Sequence, residues 1–476
     1  MSQRADAALR AAVLFIAAVT LFRVVMLAFN GTDLFVDEVQ YWAWGQNLDW
    51  GYFSKPPMIG WVIRTVTDIA GSDAPFWVRV AAPVFHGAAA LAVIWAALAW
   101  VDRWVAAWAG AIYVAMPLVT IGSALISTDT MLLPFFALAV GFYGRLILTP
   151  SAMFAVGLGV CVGLGLMSKY AMIYFVLGAV LVWLLQPAQR IRLTDAAIAA
   201  VFALAVFAPN IWWNIANDGQ TVRHIVEDNA AWNGFALNWS GTAQFLAEQF
   251  LAFGPILMGV VLYQLWPALR GRLCGAALSL SLLSVPIILL VMGQALISRA
   301  YGNWAATAYV AAPMLAAYLL QNRRGLLVVS MAINLGIAVA LPVLLAFPTA
   351  VTDAKGKPLL NRYLGLDEVS QIAGDLARAE GLDVITTGGR ALTADMLYTL
   401  DGSGLDVRAW VGTAQPVASW YEAEFPITRP TPRDAAYLGP RPPAKCDGAT
   451  RIGPVDPGFG YWSGRGLALW RLPAGC

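Results

Sequence analysis

Charged residues are scarce in this chain: Asp, Glu, Lys and Arg make up 12% of its 476 residues, whereas soluble globular proteins carry about 25%. The chain also holds only two histidines and four cysteines, and no Cys/His spacing typical of a metal site occurs. The net charge is +2, and no basic run is present. The composition excludes an ordinary soluble domain and predicts no nucleic-acid partner. It predicts no cofactor and no dedicated metal site, while recruitment of a divalent cation by carboxylates stays open.

Hydrophobic residues form 59% of the chain, and they recur in runs close to the roughly 20 residues that a helix needs to cross a bilayer. Repetition of such runs is typical of a polytopic α-helical membrane protein. The first run is too long for a removable signal peptide and lacks a small-residue cleavage site. About eleven spans are predicted, near residues 10–29, 76–100, 104–121, 131–149, 152–167, 170–186, 194–214, 243–266, 273–293, 304–320 and 325–347.

Basic residues mark the connections on one side of these spans. Counting eleven spans places all of the following on that side: Arg4, Arg10, Arg103, Arg145, Arg190, Arg192, Arg270, Arg272, Arg323 and Arg324. The positive-inside rule makes that side cytoplasmic. The N-terminus is therefore predicted in the cytoplasm, and the loop at 30–75 and the tail from about 349 on the opposite side.

The tail at 349–476 is polar and rich in proline and glycine, with no run of bilayer length. Helices are predicted at 367–380 and 392–400, and strands at 383–387, 407–411 and 467–472. The segment at 412–465 is too irregular to assign. A small α/β domain is expected, following a membrane domain at 1–348. Cys446 and Cys476 both lie in this tail, where a disulfide is permitted but not required; Cys161 and Cys274 are expected to be small packing residues.

Residues 34–61 form the first long polar stretch, LFVDEVQYWAWGQNLDWGYFSKPPMIGW. Asp37 and Glu38 are adjacent carboxylates at a predicted membrane boundary, where charges are costly unless they are solvated or paired. A catalytic role is one interpretation. The other is that both residues begin a helix near 39–47, where a carboxylate favours the helix dipole.

Lys55 in the same stretch stands directly before Pro56 and Pro57. Proline restricts its own φ angle and the conformation of the residue before it, so an extended lysine is expected here. Its ammonium suits a phosphate oxygen as a point charge. The alternative is a lysine that extends its charge to the membrane interface.

Further polar residues stand at the other predicted outer boundaries. Asp129 precedes the fourth span, either as a helix cap or as a second acidic group of a site. Lys169 and Arg299 are outward cations that suit an anionic lipid headgroup. Asn303 follows Arg299 closely, and His224 lies in a polar loop where binding and no role both stay open.

Several motifs together resemble the bacterial GT-C glycosyltransferases of the family-39-like group, which are related to protein O-mannosyltransferases and to the lipid A aminoarabinose transferase. The most specific are Asp-Glu-x-x-Tyr-Trp at 37–42 and Trp-Gly-Tyr-Phe-x-Lys-Pro-Pro-Met-Ile-x-Trp at 50–61. The Asp129 turn, Gly-x-Gly-x-x-Ser-Lys-Tyr at 163–170, Asn-x-x-Trp-Asn at 210–214 and Asn-Trp at 303–304 follow in the expected order. The resemblance covers about residues 1–345.

The resemblance implies a GT-C-like membrane enzyme of the bacterial inner membrane, with a periplasmic active site and a small periplasmic C-terminal domain. It implies a polyprenyl-phosphate sugar donor and inversion at the anomeric carbon, with lipid A or its core, another envelope glycan, a lipid or a protein as acceptor. Asp37 takes the catalytic carboxylate position, Asp129 the second acidic position, and Lys55 the place of the lysine on the donor phosphate. At Ser54 the aminoarabinose transferase has Glu, which argues against an aminoarabinose donor.

The predicted site therefore combines three groups of residues: Asp37, Asp129 and Glu38 as catalytic; Lys55, Lys169 and Arg299 on the donor phosphate; and Tyr41, Tyr52, Asn303 and His224 on sugar or acceptor. For Tyr41 and Tyr52 the alternative is that they only pack the loop on the membrane. A transporter or flippase of a lipid-linked sugar is the alternative. Transporters often carry internal repeats and a midplane site. No repeat is found and the polar residues gather at one face, which favours the enzyme.

Overall fold

Long apolar helices make up most of the structure, which is a computed structural model describing residues 2–224, 237–411, 419–427, 429–444 and 446–476. The chain divides into two units. One consists of Met1–Ala28 and Asn47–Val343, and the other of Phe29–Gln46 and Leu344–Cys476. We call them the helical unit and the C-terminal unit. The C-terminal unit thus takes in a short early segment as well as the tail.

The secondary structure of the first half of the chain is helical, with no strand among its described residues. Its α-helices are α1 (Ser2–Leu27), α2 (Val36–Gln46), α3 (Met58–Ala70), α4 (Pro75–Arg79), α5 (Ala81–Ala97), α6 (Arg103–Ala115), α7 (Pro117–Ala124), α8 (Thr128–Leu148), α9 (Ala152–Ser168), α10 (Ile173–Leu185), α11 (Leu193–Ala216) and α12 (Gln220–His224). The predicted helix near 39–47 corresponds to α2, whereas α3 lies within the stretch at 30–75 that is predicted as a loop.

The second half begins with more helices of the same kind. They are α13 (Trp239–Phe253), α14 (Pro255–Tyr263), α15 (Leu265–Leu269), α16 (Gly275–Leu282), α17 (Val285–Ile297), α18 (Ala308–Leu320) and α19 (Arg324–Ala346). Shorter 3-10 turns lie at Tyr170–Met172, Pro187–Gln189, Gly302–Ala305 and Asn361–Tyr363.

The chain is a multi-pass membrane protein. Within the described residues, six stretches are long and apolar enough to cross a bilayer: Gln3–Leu27, Pro75–Ala97, Thr128–Leu148, Leu193–Ala216, Gly275–Ile297 and Arg324–Ala346. Two further pairs, α6 with α7 and α13 with Pro255–Leu269, are bent by 50° and 114°. Ala152–Ser168, Tyr170–Leu185 and Ala308–Leu320 are apolar but shorter. The number of eleven spans and their orientation stay predictions.

Small residues let α9 approach α11 closely. A Cβ atom at Gly159 would lie 2.4 Å from the carbonyl oxygen of Ala199, and one at Gly163 would lie 2.9 Å from that of Ala203. Two glycines four residues apart on one helix face allow two backbones to meet, as in other membrane helix pairs. This packing places the C-terminal end of α9, next to Lys169, close to the polar end of α11.

A buried arginine of α1 stabilises the break between α6 and α7. Pro117 has no N–H to continue the helical ladder, and Met116 adopts a non-helical conformation. Arg23 donates to the carbonyl oxygen of Val114 and to the hydroxyl of Thr120, both at 2.7 Å. The arginine thereby satisfies a backbone group at the bend and holds α7, which leads directly to the Asp129 turn.

A five-stranded sheet forms the core of the C-terminal unit. Its strands are β1 (Val384–Thr387), β2 (Asp406–Ala409), β3 (Ala435–Gly439), β4 (Thr450–Pro454) and β5 (Ala468–Leu472). The order is β2-β1-β3-β5-β4, with β1 parallel to β2 and β3, and β5 antiparallel to β3 and β4. The helices of the tail are α20 (Leu366–Ala379), α21 (Arg390–Thr399) and α22 (Trp420–Glu424).

The predicted α/β character of the tail is confirmed. The helices predicted at 367–380 and 392–400 are α20 and α21, and the three predicted strands are β1, β2 and β5. The segment at 412–465, which the sequence left unassigned, supplies α22, β3 and β4. Cys446 and Cys476 form a disulfide, with their Cα atoms 5.1 Å apart. The bridge ties the end of the chain to the segment between β3 and β4.

Candidate functional site

Helix α2 carries Asp37 and Glu38 in its first turn, but it gives them different surroundings. The Glu38 carboxylate is buried and accepts a hydrogen bond of 2.9 Å from the backbone N–H of Phe35, three residues earlier. It therefore satisfies a backbone donor before the helix begins. The Asp37 side chain stays 46% exposed. Of the two adjacent carboxylates, Asp37 is the one accessible to a substrate.

Arg390, the first residue of α21, contacts Asp37 from within the same unit. One of its terminal nitrogens, Nη2, donates to Asp37 Oδ1 at 2.5 Å and to Gln40 Oε1 at 2.8 Å. Asp37 and Gln40 are three residues apart and lie on one face of α2. The tail thus supplies a cation for the predicted catalytic carboxylate, which the sequence analysis had not identified.

Aromatic side chains fix α2 in the C-terminal unit. The Trp42 ring meets Tyr398 of α21 edge to face, with centroids 5.0 Å apart. Trp44 meets Trp420 of α22 in the same way at 6.1 Å. The Tyr421 hydroxyl donates to the carbonyl oxygen of Val36 at 3.2 Å. These contacts determine where the first turn of α2, and hence Asp37, is held.

A group of carboxyl side chains lies where the segment before α2 meets α20 and α21. Asp33 Oδ2 accepts the backbone N–H of Leu366 at 2.7 Å. Burial first, and then the charge of Asp367, raises the pKa of the Asp33 carboxyl from 3.8 to about 7. Asp395 is fully buried, hydrogen-bonds to Asp367, and its pKa is raised well above its ordinary value, chiefly by burial.

Asp33 is expected to make this unit less stable as pH rises. Its folded pKa of about 7 exceeds the ordinary 3.8, so the folded chain holds the proton more tightly. The free energy of unfolding therefore falls as pH rises from about 4 through about 7. Asp33→Asn, which keeps an acceptor for Leu366, should reduce the fall in melting temperature between pH 5 and pH 8, measured by thermal unfolding in detergent. Part of the fall in melting temperature should remain in Asp33→Asn, because burial also raises the pKa of Asp395 in the folded chain.

The matched control for this experiment is Asp375→Asn. Asp375 lies on α20, is 73% exposed and pairs with Arg378. Its replacement should leave the slope as in the wild type. Equal slopes for wild type and Asp33→Asn would show that Asp33 does not hold its proton in the folded chain.

In the helical unit, three predicted site residues from separate segments meet: Asp129 in the first turn of α8, Lys169 directly after α9, and Asn303 in the turn Gly302–Ala305. The Lys169 ammonium lies 2.8 Å from both carboxylate oxygens of Asp129. The amide of Asn303 donates to Asp129 Oδ2 at 3.2 Å. The side chains of Asp129 and Lys169 are only 11% and 17% exposed. We call these residues the Asp129 cluster.

Helix α11 fastens the loop that carries Lys55. Trp213 donates its indole N–H to Asp49 Oδ2 at 2.7 Å, and Asn210 donates to the carbonyl oxygen of Trp50 at 2.7 Å. A Cβ atom at Gly51 would lie 2.4 Å from the Trp213 ring, so only glycine permits this close approach. The Asn-x-x-Trp-Asn motif at 210–214 therefore has a structural use, which is to position the lysine loop.

The same loop closes on itself beside Lys55. The Tyr52 N–H donates to the Lys55 carbonyl oxygen at 3.1 Å, and the Tyr52 hydroxyl donates to the Asn47 carbonyl oxygen at 3.1 Å. Burial raises the pKa of Tyr52 to about 12, so its hydroxyl keeps its proton for this bond. Thr221 of α12 donates to the Tyr52 carbonyl oxygen at 2.8 Å. Lys55 thus extends from a tightly held turn.

The remaining predicted site residues lie in different surroundings. Tyr41 is buried in α2, with its ring 5.4 Å from that of Trp44. Arg299 lies between α17 and the turn Gly302–Ala305. His224 ends α12, and its side chain lies outside the described residues. Among the described residues, no three His, Cys, Asp or Glu side chains are grouped so as to hold a metal ion.

Sequence reasoning missed Arg390, Asn210 and Trp213 as parts of this arrangement. The motif at 210–214 had pointed to the α11 residues, without saying what they bind. Arg390 follows two glycines in an otherwise unmarked tail. Only its position two residues before the helix predicted at 392–400 distinguished it, and that position does not identify a partner about 350 residues away.

Known proteins of several kinds are similar to this chain. A family model described as dolichyl-phosphate-mannose-protein mannosyltransferase matches residues 54–213. The lipid A galacturonosyltransferase RgtD of Rhizobium johnstonii is 39% identical over 478 residues, which cover 98% of this chain and 99% of that protein.

Solved structures also match the chain nearly from end to end. ArnT from Cupriavidus metallidurans in the apo state superposes with a TM-score of 0.69 at 15% identity, covering 96% of this chain and 97% of ArnT. The same protein bound to undecaprenyl phosphate gives a TM-score of 0.68 at 16% identity, with the same coverage. At these identities the structures show a shared fold.

Proposed function

Because this chain belongs to the GT-C glycosyltransferases related to the protein O-mannosyltransferases and the lipid A aminoarabinose transferase, we propose that it transfers a galacturonosyl residue from a polyprenyl phosphate to lipid A. The observation that carries the proposal is the 39% identity to a lipid A galacturonosyltransferase over 98% of the chain. The matched region spans nearly the whole chain and therefore includes both units.

The residue before Lys55 supports an anionic sugar. A uronic acid carries a carboxylate, whereas aminoarabinose carries an ammonium group. The aminoarabinose transferase has Glu at the position of Ser54, and here Ser54 is 9% exposed. A buried glutamate would repel a uronic acid, since like charges in a poorly solvated site interact strongly. Serine removes that repulsion and fits a donor of negative charge.

The transfer requires stabilisation of the leaving phosphate and a base for the acceptor hydroxyl. The C1–O bond to the donor phosphate breaks, the polyprenyl phosphate leaves with the electron pair, and a new bond forms from the acceptor oxygen to C1 on the opposite face. Lys55 stabilises the charge on the departing phosphate, as fixed cations do for developing charge. Asp37 accepts the proton of the acceptor hydroxyl as a general base. For an acceptor that is already ionised, Asp37 orients it instead.

The Asp129 cluster serves the donor side in this proposal. An ammonium group has three N–H donors, and two of those of Lys169 are directed to Asp129. Asp129 and Asn303 thereby position Lys169, whose third donor suits a phosphate oxygen. Arg299, in the segment just before Asn303, adds a second cation to the same side. We place this site at the periplasmic face of the bacterial inner membrane, in agreement with the basic residues of the opposite connections.

A reconstituted transfer assay tests the function. Purified protein in liposomes is supplied with lipid A and with either polyprenyl-phosphate galacturonate or polyprenyl-phosphate aminoarabinose. We expect mass spectrometry to show lipid A enlarged by one hexuronosyl residue with the first donor and unmodified lipid A with the second. Modification by aminoarabinose alone would contradict the proposed donor.

Two controls separate the other outcomes. Heat-inactivated protein gives the background level of lipid A modification in the assay. Movement of the galacturonate donor between the two leaflets, without any change in lipid A, would identify a flippase and contradict the transferase.

A further inference from the structure

We propose that Arg390 of the C-terminal unit is a positioning residue for the transfer reaction, fixing the orientation of the Asp37 carboxylate. This inference rests on the proposed role of Asp37. Arg390 Nη2 donates to Asp37 Oδ1 at 2.5 Å and to Gln40 Oε1 at 2.8 Å. A single nitrogen thus contacts two side chains on one face of α2.

The position of Arg390 in its own helix points to a role outside that helix. It is the first residue of α21, whose first turn contains no acidic residue. The N-terminus of a helix carries partial positive charge, so a cation there is unfavourable for the helix. Arg390 therefore does not stabilise α21 by its charge, and its two acceptors lie on α2.

Docking of α2 does not depend on Arg390. The Trp42–Tyr398 and Trp44–Trp420 ring contacts hold α2 against α21 and α22. Arg390 and Asp37 are each 46% exposed, and pairs of such exposure contribute little to stability. What the guanidinium changes is the orientation of one carboxylate, since its bond to Oδ1 restricts rotation of the Asp37 side chain.

This restriction has a use in catalysis. A base must lie within hydrogen-bond reach of the proton that it accepts, and small errors in its placement lower the rate substantially. With Oδ1 bound to Arg390, Oδ2 is presented in a fixed orientation. A guanidinium has five N–H donors and no acceptor, so Arg390 donates to Asp37 and does not compete for the acceptor proton.

The test compares Arg390→Ala and Arg390→Lys with the wild type in the reconstituted transfer assay. We expect Arg390→Ala to lower kcat by about tenfold or more with the donor KM unchanged, as for a lost positioning contact. Arg390→Lys should recover part of kcat, and added guanidinium should partly rescue Arg390→Ala. Melting temperatures of all variants establish that they are folded.

Arg378→Ala is the matched control. Arg378 lies in the same unit, is 45% exposed and pairs with Asp375 of its own helix at 2.5 Å. Its replacement should leave kcat unchanged. A value of kcat for Arg390→Ala within twofold of the wild type would overturn the proposal.

A double variant separates positioning from a general structural effect. If Arg390 acts through Asp37, Asp37→Asn with Arg390→Ala should be no slower than Asp37→Asn alone, because residues that act as a unit are not additive. Additive losses would overturn the proposal while leaving the proposed function intact. Full activity of Asp37→Asn would instead overturn the role of Asp37, and the Arg390 proposal with it.

Discussion

Asp37→Asn should lower kcat for sugar transfer by about 10²- to 10⁴-fold, the usual contribution of a general base. Asparagine has nearly the same shape and keeps an oxygen that accepts a hydrogen bond from Arg390, so the contact at Oδ1 is preserved. The variant removes the capacity to take up a proton. Steady-state kinetics with galacturonate donor and lipid A measures the loss, which should appear in kcat with little change in donor KM.

Asp68→Asn is the control for this experiment. Asp68 pairs with Arg64 on α3, and its side chain is 56% exposed, close to the exposure of Asp37. Its replacement should leave kcat near the wild-type value. If Asp37→Asn transfers sugar at the wild-type rate while its melting temperature is unchanged, Asp37 is not the base.

Lys169→Met should destabilise the helical unit by about 3–5 kcal/mol, because it leaves the Asp129 carboxylate buried without its cation. Both side chains of this pair are less than one-fifth exposed, at 11% and 17%. Asn303 still donates to Asp129 Oδ2, but one amide does not replace an ammonium 2.8 Å from both oxygens. Thermal unfolding in detergent measures the loss as a lower melting temperature.

The double variant Asp129→Asn with Lys169→Met should recover most of that stability, since removing both charges leaves no unpaired ion. The exposed Arg64–Asp68 pair of the same unit is the control, at 37% and 56% exposure. Arg64→Met should cost no more than about 1 kcal/mol, as exposed pairs do. Equal losses for Lys169→Met and Arg64→Met would contradict a buried pair.

Hydropathy and local composition predicted most helices and strands whose own residues carry a clear pattern. The predicted apolar runs coincide with apolar helices, and α20, α21, β1, β2 and β5 matched their patterns in the tail. Strands β3 and β4 were missed because they include glycine or proline, which are depleted in strands. Helix α3 was missed although Pro57 precedes it and Ile59 and Ile63 share its buried face.

The site could be predicted only in part. Asp129, Lys169 and Asn303 were each recognisable as polar residues at predicted outer boundaries of spans, and the structure brings them together. Their pairing depends on the packing of α8, α9 and the turn before α18, which no local pattern encodes. The contact of Arg390 with Asp37 joins positions 353 residues apart. Long-range contacts of this kind follow from the assembled fold rather than from spacing.

The union of Phe29–Gln46 with Leu344–Cys476 has a practical consequence for exchanging parts between relatives. A chimera that replaces only the tail would set foreign partners against Trp42 and Trp44, whose present partners are Tyr398 and Trp420. A fragment beginning at 349 would lack α2 altogether and expose the aromatic face that receives it. The two segments are about 300 residues apart in the chain but form one structural unit. They therefore have to be exchanged together.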